Sequence, residues 1–252
     1  MLQENVEALL ARLTPSDLVL DVGGWACPFN RAQWVLDAEP YETRGFYRTF
    51  GAPASQGPAE EWFTRETWVQ RDICDRSPWP FADKQFDFAV CSHTLEDLRD
   101  PVGVCDELQR VARRGYIEVP SREWESCRGL ERPRQAGLSH HRWLVEIRGS
   151  TVSFLPKYHM INADWRFSLP ASHAGTLDAR ASVAWLWWND RFDCREVTIH
   201  GLAAQEAALQ EFARSIVPQP GWLLALDRAY RAVTALPARA MRSLRRSAAP
   251  PR

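Results

Sequence analysis

Five short apolar runs recur through the first half of the chain, and each one ends at a polar residue, a glycine or a proline. Leu18-Val19-Leu20-Asp21-Val22 is followed by Gly23-Gly24. Trp34-Val35-Leu36 ends in Asp37, and Trp68-Val69-Gln70-Arg71 ends in Asp72. Phe86–Cys91 leads into Ser92-His93, and Gly115–Val119 stops at Pro120. Runs this short and this apolar predict strands covered on both faces. Between them, Val102–Val111 has helical period, as does the stretch before the first run, residues 2–13. Strands alternating with helical or loop crossovers predict an α/β fold built on a doubly wound, mostly parallel sheet. Nearer the carboxyl end, Ala184–Trp188 and Glu196–His200 flank Asn189-Asp190-Arg191, which predicts a terminal antiparallel hairpin. Residues 203–216 and 221–246 have helical spacing. The segment 121–170, rich in Arg, His, Trp and Pro, reads as a cap over the sheet. The expected organisation is a domain over 1–202 and a helical, basic tail over 203–252.

Composition narrows the class. Of 252 residues, 45% are hydrophobic and 25% charged, the balance of a globular chain with a sizeable core. The longest apolar stretch, Val183–Trp188, is far below the ~20 residues that cross a bilayer. The first residues lack the basic-then-apolar order of a secretory leader. The net charge of -1 gives no general attraction to nucleic acid. That average hides a tail from Gly221 onward with seven Arg and one Asp. Six cysteines without a Cys-x-x-Cys pair point to free thiols in a reducing, cytoplasmic compartment, with neither disulfides nor a zinc site.

In an open parallel sheet, ligands bind beyond the carboxyl ends of the strands. Glycines at 23 and 24 allow close approach of backbone to a ligand. Asp37 can accept two hydrogen bonds from a ribose diol. Asp72 can accept from an adenine amine, with Ile73 against the ring. Ser92 and His93 face the middle of the cleft. Asp21-x-Gly23-Gly24, Asp37, Asp72, the Pro80-Phe81-x-Asp83-x-x-Phe86-Asp87 segment and Ser92-His93-Thr94-Leu95-Glu96-Asp97 together resemble the class I S-adenosylmethionine-dependent methyltransferases, above all the small-molecule group called type 11. The resemblance covers residues 16–120. It implies a Rossmann-like, seven-stranded sheet with the last strand antiparallel, and S-adenosyl-L-methionine as cofactor. It also implies that Asp21, Gly23 and Gly24 line the methionine end, that Asp37 holds the ribose, and that Asp72 and Ile73 hold the adenine. One departure stands out: Trp25 and Cys27 occupy the second and third glycine slots of the family's first loop. A dinucleotide oxidoreductase would need Gly-x-Gly-x-x-Gly opening a longer helix, and that pattern is missing.

Methyl transfer needs in-line alignment and, for a hydroxyl acceptor, a base. Candidate bases are His93, His140 and His141, since imidazole titrates near neutrality. Glu118 and Trp143 are candidates for contact with the acceptor, expected to be a small molecule or a glycan or lipid-linked intermediate methylated at oxygen. A metal held by His140, His141 and a nearby acid is an alternative, but no ligand spacing supports it, and none is expected. The tail alternates an apolar face with arginines, which suits peripheral contact with an anionic membrane. Oligomeric state has no signature. The alternative is a catalytically degenerate relative that serves as a membrane-surface or partner-binding module.

Overall fold

A computed structural model of the chain describes residues 1–218. The expected helices over 221–246, and with them the membrane-contact reading, lie outside the described residues. In chain order the elements are α1 (Gln3–Arg12), β1 (Val19–Val22), β2 (Trp34–Asp37), β3 (Trp68–Gln70), β4 (Phe88–Ser92), α2 (Pro101–Val111), β5 (Arg114–Pro120), α3 (Arg122–Glu125), β6 (Trp143–Arg148), β7 (Thr151–Pro156), α4 (Ala171–Ala174), β8 (Val183–Asn189), β9 (Asp193–Glu196) and α5 (Leu202–Ile216). No helix among the described residues is long and apolar enough to cross a membrane.

The main sheet has the order β3-β2-β1-β4-β5-β8. All neighbours are parallel except β8, which runs antiparallel to β5, with Ile117 opposite Leu186. The α/β class and the antiparallel last strand are as expected. Among the described residues this sheet has six strands, against an expected seven. The expected hairpin does not form. After β8 the chain turns at Asp190, where φ is +61°, and β9 leaves to pair in parallel with β7. The charged, exposed Asp193–Glu196 stretch gains partners there without entering the buried sheet. The β6–β7 hairpin completes this second, three-stranded sheet.

Alternation along the strands divides the core in two. Leu20, Val22, Ala89, Cys91, Ile117 and Val119 pack with Val104, Cys105 and Leu108 of α2. Val19, Phe88, Val90 and Tyr116 face the other way, against Val6 and Leu9 of α1. Asp100 caps α2 by accepting from Gly103 N–H at 3.0 Å, and Pro101 sits where the helix lacks a donor requirement. The Phe81/Phe86 pair of the family-like segment is buried edge to face at 4.9 Å. Asp87 accepts from Leu18 N–H at 2.9 Å. That segment therefore aligns β4 beside β1, and its role is structural. α5 is part of the packed body, with Leu209 and Ala213 buried.

Candidate active site

The first loop departs from a helix-opening turn. Gly23 has φ +76°, and a Cβ there would collide with Thr94. Gly24 lies against the Asp21 carboxylate, so a side chain would strike Oδ2. Asp21 is buried and accepts from Phe29 N–H at 2.8 Å. Burial raises its pKa to about 7; the Phe29 bond opposes the shift and the charge of Asp37 adds to it. The chain then runs from Gly23 to Gln33 without a helix. The glycines and Asp21 thus hold an irregular loop, with Gly23 at the wall of a cavity.

That cavity, about 510 Å³, lies beyond the carboxyl ends of β1 and β4. Gly23, Ser92 and His93 line it, joined by Tyr47 and Gln56 from the long β2–β3 connection and Gln3 from α1. Its size suits a small ligand. Ser92 Oγ is buried there with no hydrogen-bond partner among the described residues. Tyr47 and Gln56 carry no motif, so nothing in the sequence marks them as cavity residues.

His93 takes a left-handed backbone, φ +51°, with its N–H bonded to Glu118 O at 2.8 Å. Its Nε2 lies 3.1 Å from Glu118 Oε1 and its Nδ1 3.7 Å from Glu96 Oε1. Burial alone would lower the imidazole pKa, but the two carboxylates outweigh it and hold the pKa at about 9. His93 is therefore a cation at neutral pH with both nitrogens facing acids. The expected role of general base does not fit this geometry, because a base must arrive without its proton.

Glu118 is wholly buried. It accepts from Leu2 N–H at 2.9 Å, from Asn5 Nδ2 at 3.3 Å, from Tyr116 Oη and from His93. Burial opposes its charge, yet these donors and the amine of Met1 bring its pKa down to about 2. The expected acceptor contact is corrected: Glu118 ties α1 to β5 and fixes His93. Trp143 is corrected as well. Its Nε1–H donates to Leu98 O at 2.7 Å and its ring meets Phe154, so it packs half-buried against the core.

At the β2 and β3 ends the acids are engaged. Asp37 is 8% exposed and accepts from Trp25 N–H at 3.0 Å and Glu39 N–H at 2.9 Å. Burial raises its pKa, against these two bonds. Asp72 pairs with Arg99 at 2.6 Å and accepts from Cys74 N–H at 2.9 Å; the Arg99 bond lowers its pKa. Ile73 is buried in the core beneath Trp79, whose Nε1–H donates to Ile73 O at 3.0 Å. Its placement removes Ile73 from the expected adenine contact. Each carboxylate oxygen of Asp37 keeps a second lone pair, so the residue can still accept from a diol at its exposed edge.

His140 is exposed and His141 is buried against Glu125. Neither lines the cavity, so the structure does not bring the His140–Trp143 segment to His93's open side. Of the expected site residues, it unites Gly23, Ser92 and His93 at one wall. The unbonded Ser92 hydroxyl and the Gly23 backbone meet at that wall.

A family model described as a methyltransferase domain matches residues 42–117. No curated protein matches the sequence. Among solved structures, a SAM-dependent methyltransferase of Methanosarcina mazei shares 20% identity, with 46% of this chain and 58% of that one covered and a TM-score of 0.31. An S-adenosylmethionine-dependent methyltransferase of Mesorhizobium loti shares 18%, covering 48% and 55%, at a TM-score of 0.30. One from Aquifex aeolicus shares 19%, covering 51% and 70%, at 0.30. The chain spans about half the length of several solved structures that it matches. The family match runs from the β2–β3 connection through β3, β4 and α2 into β5.

Proposed function

We propose that the protein transfers the methyl group of S-adenosylmethionine to a small-molecule or glycan acceptor in the cavity walled by Gly23, Ser92 and His93. The observation that carries this reading is the cavity itself, placed at the carboxyl ends of β1 and β4 of a sheet with a 3-2-1-4-5 parallel core. The cofactor supplies the electrophilic methyl group. Gly23 presents backbone at close range, Ser92 Oγ offers a hydroxyl to the methionine end, and Asp37 accepts from the ribose. His93 keeps its proton and acts as a fixed, charged wall.

The acceptor then brings its own nucleophile. With His93 protonated, and His140 and His141 outside the cavity, an oxygen acceptor must carry an acidic hydroxyl; an amine or thiolate acceptor meets the same requirement. Alignment in the cavity supplies the rest of the rate.

Calorimetry with the full chain and S-adenosylhomocysteine tests the first half of this reading. One site per chain is expected, weakened in Ser92→Leu, which fills the cavity wall. A titration without heat in the wild-type chain, checked by equilibrium dialysis, would remove the proposal.

A degenerate, partner-binding role is the second reading, favoured by one observation. No helix opens after Gly23, so the helix N-terminal amides that commonly hold an anion are missing from the described loop. Binding of S-adenosylhomocysteine without turnover on any amine, thiol or phenol would support that role over the first.

A further inference from the structure

A second cluster of chemistry-bearing side chains lies on the far side of Glu96 from His93. Asp97 follows β4, and His140-His141 lead into β6. Backbone bonds lock the two segments together: Arg142 N–H and Trp143 N–H both donate to Glu96 O, at 2.8 and 3.1 Å. One ligand atom each from Asp97, His140 and His141 lies within 4.8 Å of the others. His141 Nε2 is 3.8 Å from Asp97 Oδ1.

The surroundings of His141 hold it in one orientation. Its Nδ1 is bonded to Glu125, which is 1% exposed. Glu125 in turn accepts from Lys157 Nζ at 2.9 Å and Leu138 N–H at 2.6 Å. Gly137, with φ +60°, makes that close approach feasible, since any Cβ there would collide with Glu125 Oε1. A carboxylate on Nδ1 leaves Nε2 as the nitrogen facing Asp97, the arrangement by which outer carboxylates orient metal-bound histidines.

A separate observation points to a cation. Glu96 is 1% exposed and neither of its oxygens receives a hydrogen bond among the described residues, and Asp97 Oδ1 likewise has none. The nearest charged neighbour of Glu96 on its other side is His93 Nδ1 at 3.7 Å. Buried carboxylate oxygens are almost always bonded or bound to a metal. The His93 cation answers part of this charge from one side, and Lys157 is committed to Glu125.

We propose that Asp97, His140 and His141 bind one divalent transition-metal ion of zinc-like chemistry, with Glu125 as the outer partner of His141 and Glu96 as the buried counter-charge. Two imidazoles and one carboxylate suit zinc and related ions and not magnesium or calcium. The 4.8 Å spread closes with a rotation of His140, the exposed member. Three protein ligands leave a fourth position for water or a substrate oxygen. The sequence offers a metal at His140, His141 and a nearby acid only as an alternative, since no His-x-x-x-His spacing supports it. Asp97 and His140 are 43 positions apart and are brought together where Arg142 and Trp143 N–H bond Glu96 O. The site stands independently of the methyl-transfer reading.

The test uses the full chain, stripped with a chelator and titrated with Zn²⁺ by calorimetry, with Co²⁺ absorption as a second readout. One ion per chain is expected, with the d–d bands of a four-coordinate Co²⁺ site. Glu125→Gln should weaken binding by about 10–100-fold, and His140→Ala and Asp97→Asn should weaken it further. His140→Ala alters an exposed side chain, so it reports even if Glu125→Gln fails to fold. No Zn²⁺ binding in the wild-type chain, or equal affinity in His140→Ala and wild type, would overturn the proposal.

Discussion

At the ends of β2 and β3, Asp37 and Asp72 are turned into local structure: one accepts from Trp25 and Glu39 amides, the other is paired with Arg99. At the ends of β4 and β5, Ser92 and His93 reach a cavity while Glu118 is fully buried behind them. The same motif, a strand followed by a polar residue, has opposite outcomes at the two halves of the edge. The difference lies in the chain that covers each half. Trp25 packs with Val35, Phe63 and Trp68 and brings its backbone N–H onto Asp37. On the other half, α1 packs on the sheet through Val6 and Leu9, Leu2 N–H and Asn5 bond Glu118, and His93 is left at the cavity wall. A polar strand end becomes a site only where the covering segment leaves its spare lone pairs or donors facing open space.

The largest expected effect breaks the buried half of this contrast. Glu118→Ala leaves the His93 cation, the Tyr116 hydroxyl and Leu2 N–H without their acceptor, so unfolding free energy should fall by about 3–5 kcal/mol, read by urea denaturation. A loss under about 1 kcal/mol would mean that α1 is not held through Glu118. Asp37→Ala sharpens the other half. If the exposed edge of Asp37 still receives a ribose, S-adenosylhomocysteine affinity should drop by about 10–100-fold, the value of one or two hydrogen bonds to a charged group. Unchanged affinity would leave Asp37 as a loop brace alone.

His93 links the two through pH. Its folded pKa of about 9 exceeds the ordinary value of 6.5, so its ion pairing stabilises the fold fully below about pH 6.5. That contribution is lost as pH rises through about 9. Thermal melts of wild type against His93→Gln should diverge below about pH 6.5 and converge above about pH 9. A divergence that grows with pH instead would show a neutral, base-competent imidazole. The smallest effect belongs to Asp72. Its pair with Arg99 is half exposed, so Asp72→Asn should move the melting temperature by only about 1–2 °C. A larger fall would show that the pair anchors the β3–β4 connection.

Much of the fold is legible in the sequence. The five apolar runs map onto β1 to β5 within two residues, since buried parallel strands have no polar face to blur the pattern. α2 is legible because Asp100-Pro101 opens a periodic stretch. The β6–β7 hairpin is not, although Val145 and Ile147, then Val152 and Phe154, alternate with polar residues on either side of Gly149, because the Arg and Trp content of the segment resembles that of a cap. The expected β8–β9 hairpin fails because its second arm is exposed and finds its partner in β7, a strand the sequence does not announce. For the site, Gly23, Ser92 and His93 are legible by position alone. The state of His93 depends on Glu96 and Glu118 flanking one ring, which no spacing reveals.

By itself the sequence determined the five strands of the parallel core, their order along the chain, and a resemblance over residues 42–117 to a methyltransferase family model. Those properties follow from local patterns of burial and from the residues at strand ends. Only the tertiary structure decided which of those polar ends face a cavity, that His93 carries a proton, and that Asp97 meets His140 and His141. Charge state and ligand geometry are set by neighbours distant in the chain, whose desolvation and electric field act through space.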